Sequence, residues 1–186
     1  MAPPVLKGPR VRLRPVAETD LPVLYRWYND AEVVAPYDRF AIDTYASFEA
    51  SIRAAPDDVG SQAPRFVVEP ADDPGHVVGM VGHYLAHPVL EITDVWYVLG
   101  EVAARGKGYG SEAVGLLVSH LFATTEYGRI GATCDVENLP SAHLLERLGF
   151  RREGTLRAAL FHHGRWHDVA VFGVTRAEWA QRSARP

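Results

Sequence analysis

Cysteine is nearly missing from this 186-residue sequence: Cys134 stands alone, so no disulfide can form within the chain. A lone thiol fits a reducing compartment and a cytoplasmic protein. No apolar run approaches about 18 residues, so no membrane-spanning helix and no membrane partner are expected. Met1-Ala2-Pro3-Pro4 lacks the apolar stretch of a signal peptide. Positive charge is not in excess either. The 19 Lys and Arg are outnumbered by 23 Asp and Glu, a formal net charge of −4, which argues against a nucleic acid held by its phosphates. Internal repeats are absent. What is present is ordinary for a globular protein, 47% hydrophobic and 23% charged. The length suffices for one domain with a sizeable core.

The most informative stretch is Arg105-Gly106-Lys107-Gly108-Tyr109-Gly110. Before it runs the apolar, β-prone Val95 to Leu99. After it, from Ser111 to Glu126, Val114, Leu117, Val118, Leu121 and Phe122 recur on one face of an amphipathic helix. A strand, a glycine-rich loop and a helix therefore follow one another. Glycines admit a ligand close to the backbone. The unpaired N–H groups opening the helix suit a phosphate or pyrophosphate, and Arg105 and Lys107 add cations beside them. A Walker A loop is excluded by spacing, since Gly100 and Gly106 are too far apart and Gly108 follows Lys107 where Ser or Thr should stand. A dinucleotide fingerprint needs G-x-G-x-x-G early in a βαβ unit; this loop is G-x-G-x-G and lies past the middle of the chain. A glycine-rich turn with exposed cations is the plain alternative.

Taken in order, Val11 to Pro15 alternates as a first strand. Thr19 is placed to cap a helix through Leu21, Leu24, Tyr25 and Trp27, with Pro22 in its first turn. A second helix is predicted over Asp43 to Arg53, and a loop over 56–64. Arg65 to Glu69 and His76 to Leu85 read as a hairpin turned at Asp72 to Gly75. Glu91 to Leu99 is the strand feeding the loop. Arg129 to Val136 is the next strand, Asn138 to Leu148 a helix stopped by Gly149, and Phe150 to Phe161 and Trp166 to Thr175 two more strands. Helices interleaved with hairpins predict an α/β sandwich on a mixed sheet.

Several ordered motifs carry a family resemblance. Arg105, Gly108 and Gly110 fit [RQ]-x-x-G-x-[GA]. Asn138-Leu139-Pro140-Ser141, then Glu146-Arg147-Leu148-Gly149-Phe150, then Glu153-Gly154 resemble N-x-x-[SA] … E-K-L-G-F … E-G, with Arg147 at the lysine place. The chain resembles the GCN5-related N-acetyltransferases over roughly residues 10 to 180. Gly164 to Asp168, Glu178-Trp179 and Trp27 to Val33 are similar to the RimJ/RimL and spermidine acetyltransferase branch. The resemblance implies one acetyltransferase domain at 10–180 between an N-terminal extension, 1–9, and a tail, 181–186. It implies a mixed sheet flanked by helices, its two central parallel strands splayed around acetyl-CoA. The acceptor implied is an amine, on a small molecule or at a protein N-terminus, and a homodimer is allowed. Another acyl donor, or a CoA-binding module without chemistry, are the rivals.

Site residues follow by the same resemblance. Backbone groups of Val98, Leu99 and Gly100 would hold the acetyl and pantetheine, and the amides of Gly106, Lys107, Gly108, Tyr109, Gly110 and Ser111, with Arg105, the pyrophosphate. Asn138 would bond the pantetheine or the substrate by its amide, or serve only as a helix cap. Ser141 would protonate the leaving thiolate, or bond only its own backbone. Many relatives carry a tyrosine acid where this chain has Leu145, so that mechanism does not transfer. Asp94 and Glu91, on opposite faces of one strand, and His83 are candidate bases. Tyr28, Tyr37, Asp38 and Phe40 would line the acceptor pocket, with Asp30, Glu32 and Asp43 as further acids. Acids beside an aromatic wall suit a cationic amine. No acidic or cysteine residue near His162, His163 and His167 completes a zinc set, and the three read as a turn cluster, so no metal is expected.

Overall fold

The computed structural model describes residues 4–30, 33, 44–53, 65–87 and 92–183. Its strands are β1 (Leu6–Lys7), β2 (Val11–Pro15), β3 (Phe66–Pro70), β4 (Gly79–His87), β5 (Ile92–Leu99), β6 (Arg129–Asp135), β7 (Arg151–His162) and β8 (Arg165–Thr175). The helices are α1 (Leu21–Tyr28), α2 (Tyr45–Arg53), α3 (Tyr109–Thr124), α4 (Leu139–Arg147) and α5 (Arg176–Ser183). The strands form one sheet in the order β1-β2-β3-β4-β5-β6-β8-β7. The pairings are antiparallel except for β5 with β6, which run parallel. The expected mixed α/β sheet flanked by helices is the fold observed.

Each face of the sheet has its own apolar cover. Against one face lie α3, α4 and α5, whose Val114, Leu117, Val118, Leu121, Leu145 and Trp179 pack on Val81, Val95, Ile130, Ala132 and Phe172. Against the other lie α1 and α2, with Leu21, Leu24, Trp27 and Phe48 around Val67. Burying each such side chain contributes about 1.5–3 kcal/mol, so the alternation along β5 is strongly enforced. Thr93, Val95 and Tyr97 turn toward α3, and Asp94, Trp96 and Val98 toward α1.

Several expectations need correction. Thr19 does not cap α1. A short 3-10 turn at Glu18–Asp20 precedes the helix, and Asp20 is the residue that fixes it. Its carboxylate accepts the Ala17 N–H at 2.8 Å and both ends of the Arg14 guanidinium, at 2.6 and 2.8 Å. Asp20, held by the bidentate arginine, takes the N-cap position in place of Thr19. Helix α3 starts at Tyr109, two residues before the predicted Ser111, because Gly108 at φ +83° takes the N-cap position without a side chain. Among the described residues the first strand pair begins at Leu6, and α5 runs to Ser183. That helix carries no regular apolar period in sequence. It is held by Trp179, whose indole N–H donates to Ser119 Oγ at 3.2 Å and whose ring lies 6.4 Å from Phe122.

Candidate active site

The two central strands part company almost at once. Only Thr93↔Ile130 and Asp94↔Gly131 are in register, and beyond them β5 and β6 diverge toward their carboxyl ends. Ligands of open α/β sheets enter at such a place, where main-chain donors and acceptors lack a strand partner. The glycine loop stands at the end of the same gap. Gly106 and Gly108 have φ of +76° and +83°, a region costly to any other residue. They turn the chain so that α3 points its N-terminus at the mouth of the split.

Three cations surround that N-terminus. Arg105 and Lys107 were legible. Arg10 was not: it arrives from just before β2, its guanidinium donating to the Lys107 carbonyl at 3.4 Å. A Cβ added to Gly108 would stand 2.5 Å from Arg10 Nη1. Glu112 locks this arrangement by accepting the main-chain N–H of Arg10 at 2.7 Å and of Val11 at 3.0 Å. Arg105 also donates to the Leu99 carbonyl, tying the loop to the end of β5. Ser111 Oγ accepts from Arg147 of α4 at 3.3 Å. Gly100 hydrogen-bonds Val78 and has the Trp27 ring lying directly over its α-carbon, so Trp27 is core. Positive-φ glycines, a helix N-terminus and convergent cations fit a pyrophosphate, and the unzipped strands beyond fit an extended pantetheine arm.

Asn138 is the N-cap of α4, its Oδ1 accepting the Ser141 N–H at 3.2 Å. Ser141 is not confined to its own backbone. Its Oγ lies 2.6 Å from the phenol of Tyr97, which reaches across the split from β5. Cys134 completes the group: burial pushes its thiol up, and a hydrogen bond with Ser141 opposes that in part. Leu145, at the place of the family tyrosine, is wholly buried in the core. The phenol beside Ser141 is that of Tyr97. In sequence Tyr97 was only one residue of the apolar strand Val95 to Leu99, and nothing local to the motif marked it.

On the α1 side of β5, Asp94 sits where the strands still pair. Gly131 opposite has no side chain because the Asp94 carboxylate fills that space. Burial pushes this carboxyl up, against Arg129 and a Tyr84 hydrogen bond, which lower it. Trp96, next on this face, buries an indole N–H without a hydrogen-bond partner. His83 is on the other face, under α3. Thr93 spends its hydroxyl hydrogen on the Tyr84 carbonyl, so His83 Nδ1–H must donate to it, leaving the lone pair on Nε2. Burial, reinforced by His120, brings this imidazole down to about 4. Tyr28 ends α1 and packs on Phe48, ring centroids 5.1 Å apart. Glu91, Tyr37, Asp38 and Phe40 lie outside the described residues.

The histidines of the β7–β8 turn require a correction. An acidic partner does exist, brought by β6 rather than by their own segment. Asp135 Oδ2 is 2.5 Å from His162 Nε2 and 3.0 Å from His167 Nδ1, and all three side chains are buried. Burial raises the Asp135 carboxyl, but the Glu137 N–H and the two histidines outweigh it, and it lies below the usual range. Counting on from Asp94↔Gly131, Asp135 falls across the split from Val98, on the same α1 side.

Comparison with known proteins agrees with this geometry. The family model described as "Acetyltransferase (GNAT) domain" matches residues 10–151. The chain belongs to the GNAT family and is an N-acetyltransferase. It is 31% identical over 174 residues to the uncharacterized N-acetyltransferase p20 of Bacillus licheniformis, covering 92% of this chain and 96% of that protein. Over 75 residues, 40% of this chain and 39% of the relative, it is 33% identical to the ribosomal protein uS5-alanine N-acetyltransferase of Escherichia coli. In fold it is similar to the spermidine N-acetyltransferase of Vibrio cholerae in complex with CoA and spermine, with a TM-score of 0.78, 20% identity and coverage of 93% and 99%.

Proposed function

We propose that this protein transfers the acetyl group of acetyl-CoA to a primary amine by direct attack in a ternary complex. The observation that carries the reading is the split between β5 and β6 with the glycine loop and three cations at its end. Residues Gly106 to Ser111, Arg105, Lys107 and Arg10 hold the pyrophosphate. The main chain of Val98, Leu99 and Gly100 and the amide of Asn138 hold the pantetheine and acetyl. The bound thioester supplies the acetyl group. Main-chain N–H groups left unpaired along β5 stabilise charge growing on its carbonyl oxygen. Nitrogen gains the acetyl and loses a proton, and sulfur leaves with a proton from the Ser141–Tyr97 pair. A Tyr97 phenol replaces the family acid lost at Leu145.

Asp94 has the raised carboxyl of a base, yet four residues of strand separate it from Val98, about 13 Å at ~3.3 Å per residue. It therefore drains protons through water rather than by touching the amine. His83, on the α3 face and with its imidazole brought down to about 4, is the weaker candidate beside Asp94.

The acceptor we propose is a small cationic amine. Support comes from Tyr28 on the α1 side, from the aromatic and acidic residues Tyr37, Phe40 and Asp38 that follow it in sequence, and from the spermine complex of the Vibrio cholerae neighbour. A protein N-terminus is the second reading, favoured by the uS5-alanine relative. Free-thiol release from acetyl-CoA against a panel of polyamines, aminosugars and N-terminal peptides, with mass detection, separates them. Acetylated small amine is the expected product. Efficient acetylation of a peptide alone overturns the acceptor, and no release with any amine overturns the reaction.

A further inference from the structure

The mechanism above leaves the Asp135, His162 and His167 cluster unused. Topology makes it: Asp135 ends β6, His167 lies two residues before its partner Val169 on β8, and His162 is diagonal to His167 on β7. All three side chains therefore project from the same face of three adjacent strands. Their side-chain exposures are 3%, 2% and 6%, and one potential ligand atom from each lies within 4.8 Å of the others.

Hydrogen bonding does not account for the arrangement. Asp135 Oδ2 is approached by two ring nitrogens and bonds one, His162 Nε2. His167 Nδ1 is near but off line, and neither nitrogen of His167 has a hydrogen-bond partner. The two rings stack with centroids 3.5 Å apart and 23° between planes. Buried polar atoms are rarely left so. Two imidazoles and a carboxylate pointing at one spot are, in contrast, a frequent set of ligands for a transition metal.

We propose that Asp135, His162 and His167 bind a divalent first-row transition cation of the zinc class. Zinc–nitrogen and zinc–oxygen bonds of 2.0–2.2 Å put tetrahedral ligands about 3.3 Å apart. The observed separations of 2.5 and 3.0 Å from Asp135 Oδ2 need shifts of less than about 1 Å to reach that value. Glu137 supplies a fourth ligand when it releases Arg165, since its Oε2 is 3.7 Å from His167 Nδ1. Magnesium, which demands six oxygens, is excluded by the imidazoles.

Zinc titrated calorimetrically into the chelator-treated full-length protein should bind one equivalent with a dissociation constant at or below the micromolar range. Cobalt(II) should develop visible bands of a low-coordinate site, and magnesium should show no heat. D135N and H167Q should each weaken zinc by at least about 100-fold, whereas H163Q, at the exposed neighbouring histidine, should bind as the wild type does. Zinc binding unchanged in folded D135N and H167Q overturns the site. Should those variants unfold, the wild type decides alone: an anomalous-scattering peak between the three residues in zinc-soaked crystals supports the proposal. Soaked crystals without that peak, or a wild type silent to both zinc and cobalt, sink it.

Discussion

Tyr97→Phe removes one oxygen atom and leaves the ring in place. Its phenol lies 2.6 Å from Ser141 Oγ, and its ring packs against the apolar cluster under α3 and α4. Losing one hydrogen bond costs about 1 kcal/mol of stability, a fall in melting temperature of about 2–4 °C for a chain of this size. If the Tyr97–Ser141 pair delivers the proton to sulfur, the barrier rises further, by about 2.7 kcal/mol for a 10²-fold loss, the low end for general acid catalysis. Thiol-release kinetics separate the two effects. The turnover number should drop about 10²-fold with the acetyl-CoA Michaelis constant little changed. Ser141→Ala should do the same, and the double variant should lose little more than either single one, because the two hydroxyls form one relay. The deficit should shrink above pH ~8.5, where a thiolate leaves without help. A wild-type turnover number in Tyr97→Phe, with the few-degree melting shift present, would refute the acid and leave a structural hydrogen bond.

Three further outcomes are expected. Gly108→Val should abolish calorimetric CoA binding in a protein that still folds, because φ is +83° and a β-carbon would meet Arg10 2.5 Å away; retained affinity would displace the pyrophosphate from this loop. Asp20 lies below the usual carboxylate range because Arg14 and the Ala17 N–H outweigh its burial. Its stabilisation is therefore complete above pH ~3.9 and drains as pH falls through the lowered native value. Asp20→Asn should lower stability at neutral pH by about 1–3 kcal/mol in denaturant titrations and flatten the acid limb. The His83 ring should titrate by NMR with a midpoint near about 4, as a neutral Nδ1–H tautomer at neutral pH; a midpoint near 6.5 would contradict its burial.

What could be read from sequence, and what could not, divides by range. The glycine loop, α3, the Asn138 cap and the Gly149 stop are set by residues within a few positions of one another, and each is found in place. Tyr97, Arg10 and Asp135 are not of that kind. Tyr97 meets Ser141 44 residues away, and Arg10 meets Lys107 97 residues away. Asp135 meets His162 across 27. Only strand order brings such pairs together, and local pattern carries no trace of it. Thr19 was misread for a different reason: Asp20, the next residue, takes the N-cap position and is held there by Arg14 only six residues away.

The central claim is that coenzyme A lies in the split between β5 and β6 with its pyrophosphate on the 106–111 loop. A crystal structure of the protein grown with coenzyme A tests it directly. The account predicts pyrophosphate density within hydrogen-bonding distance of the Gly106 to Ser111 amides and of Arg105, and the thiol beside the Tyr97–Ser141 pair. Coenzyme A bound on any other surface, or strands β5 and β6 closed on each other along their whole length, would contradict it.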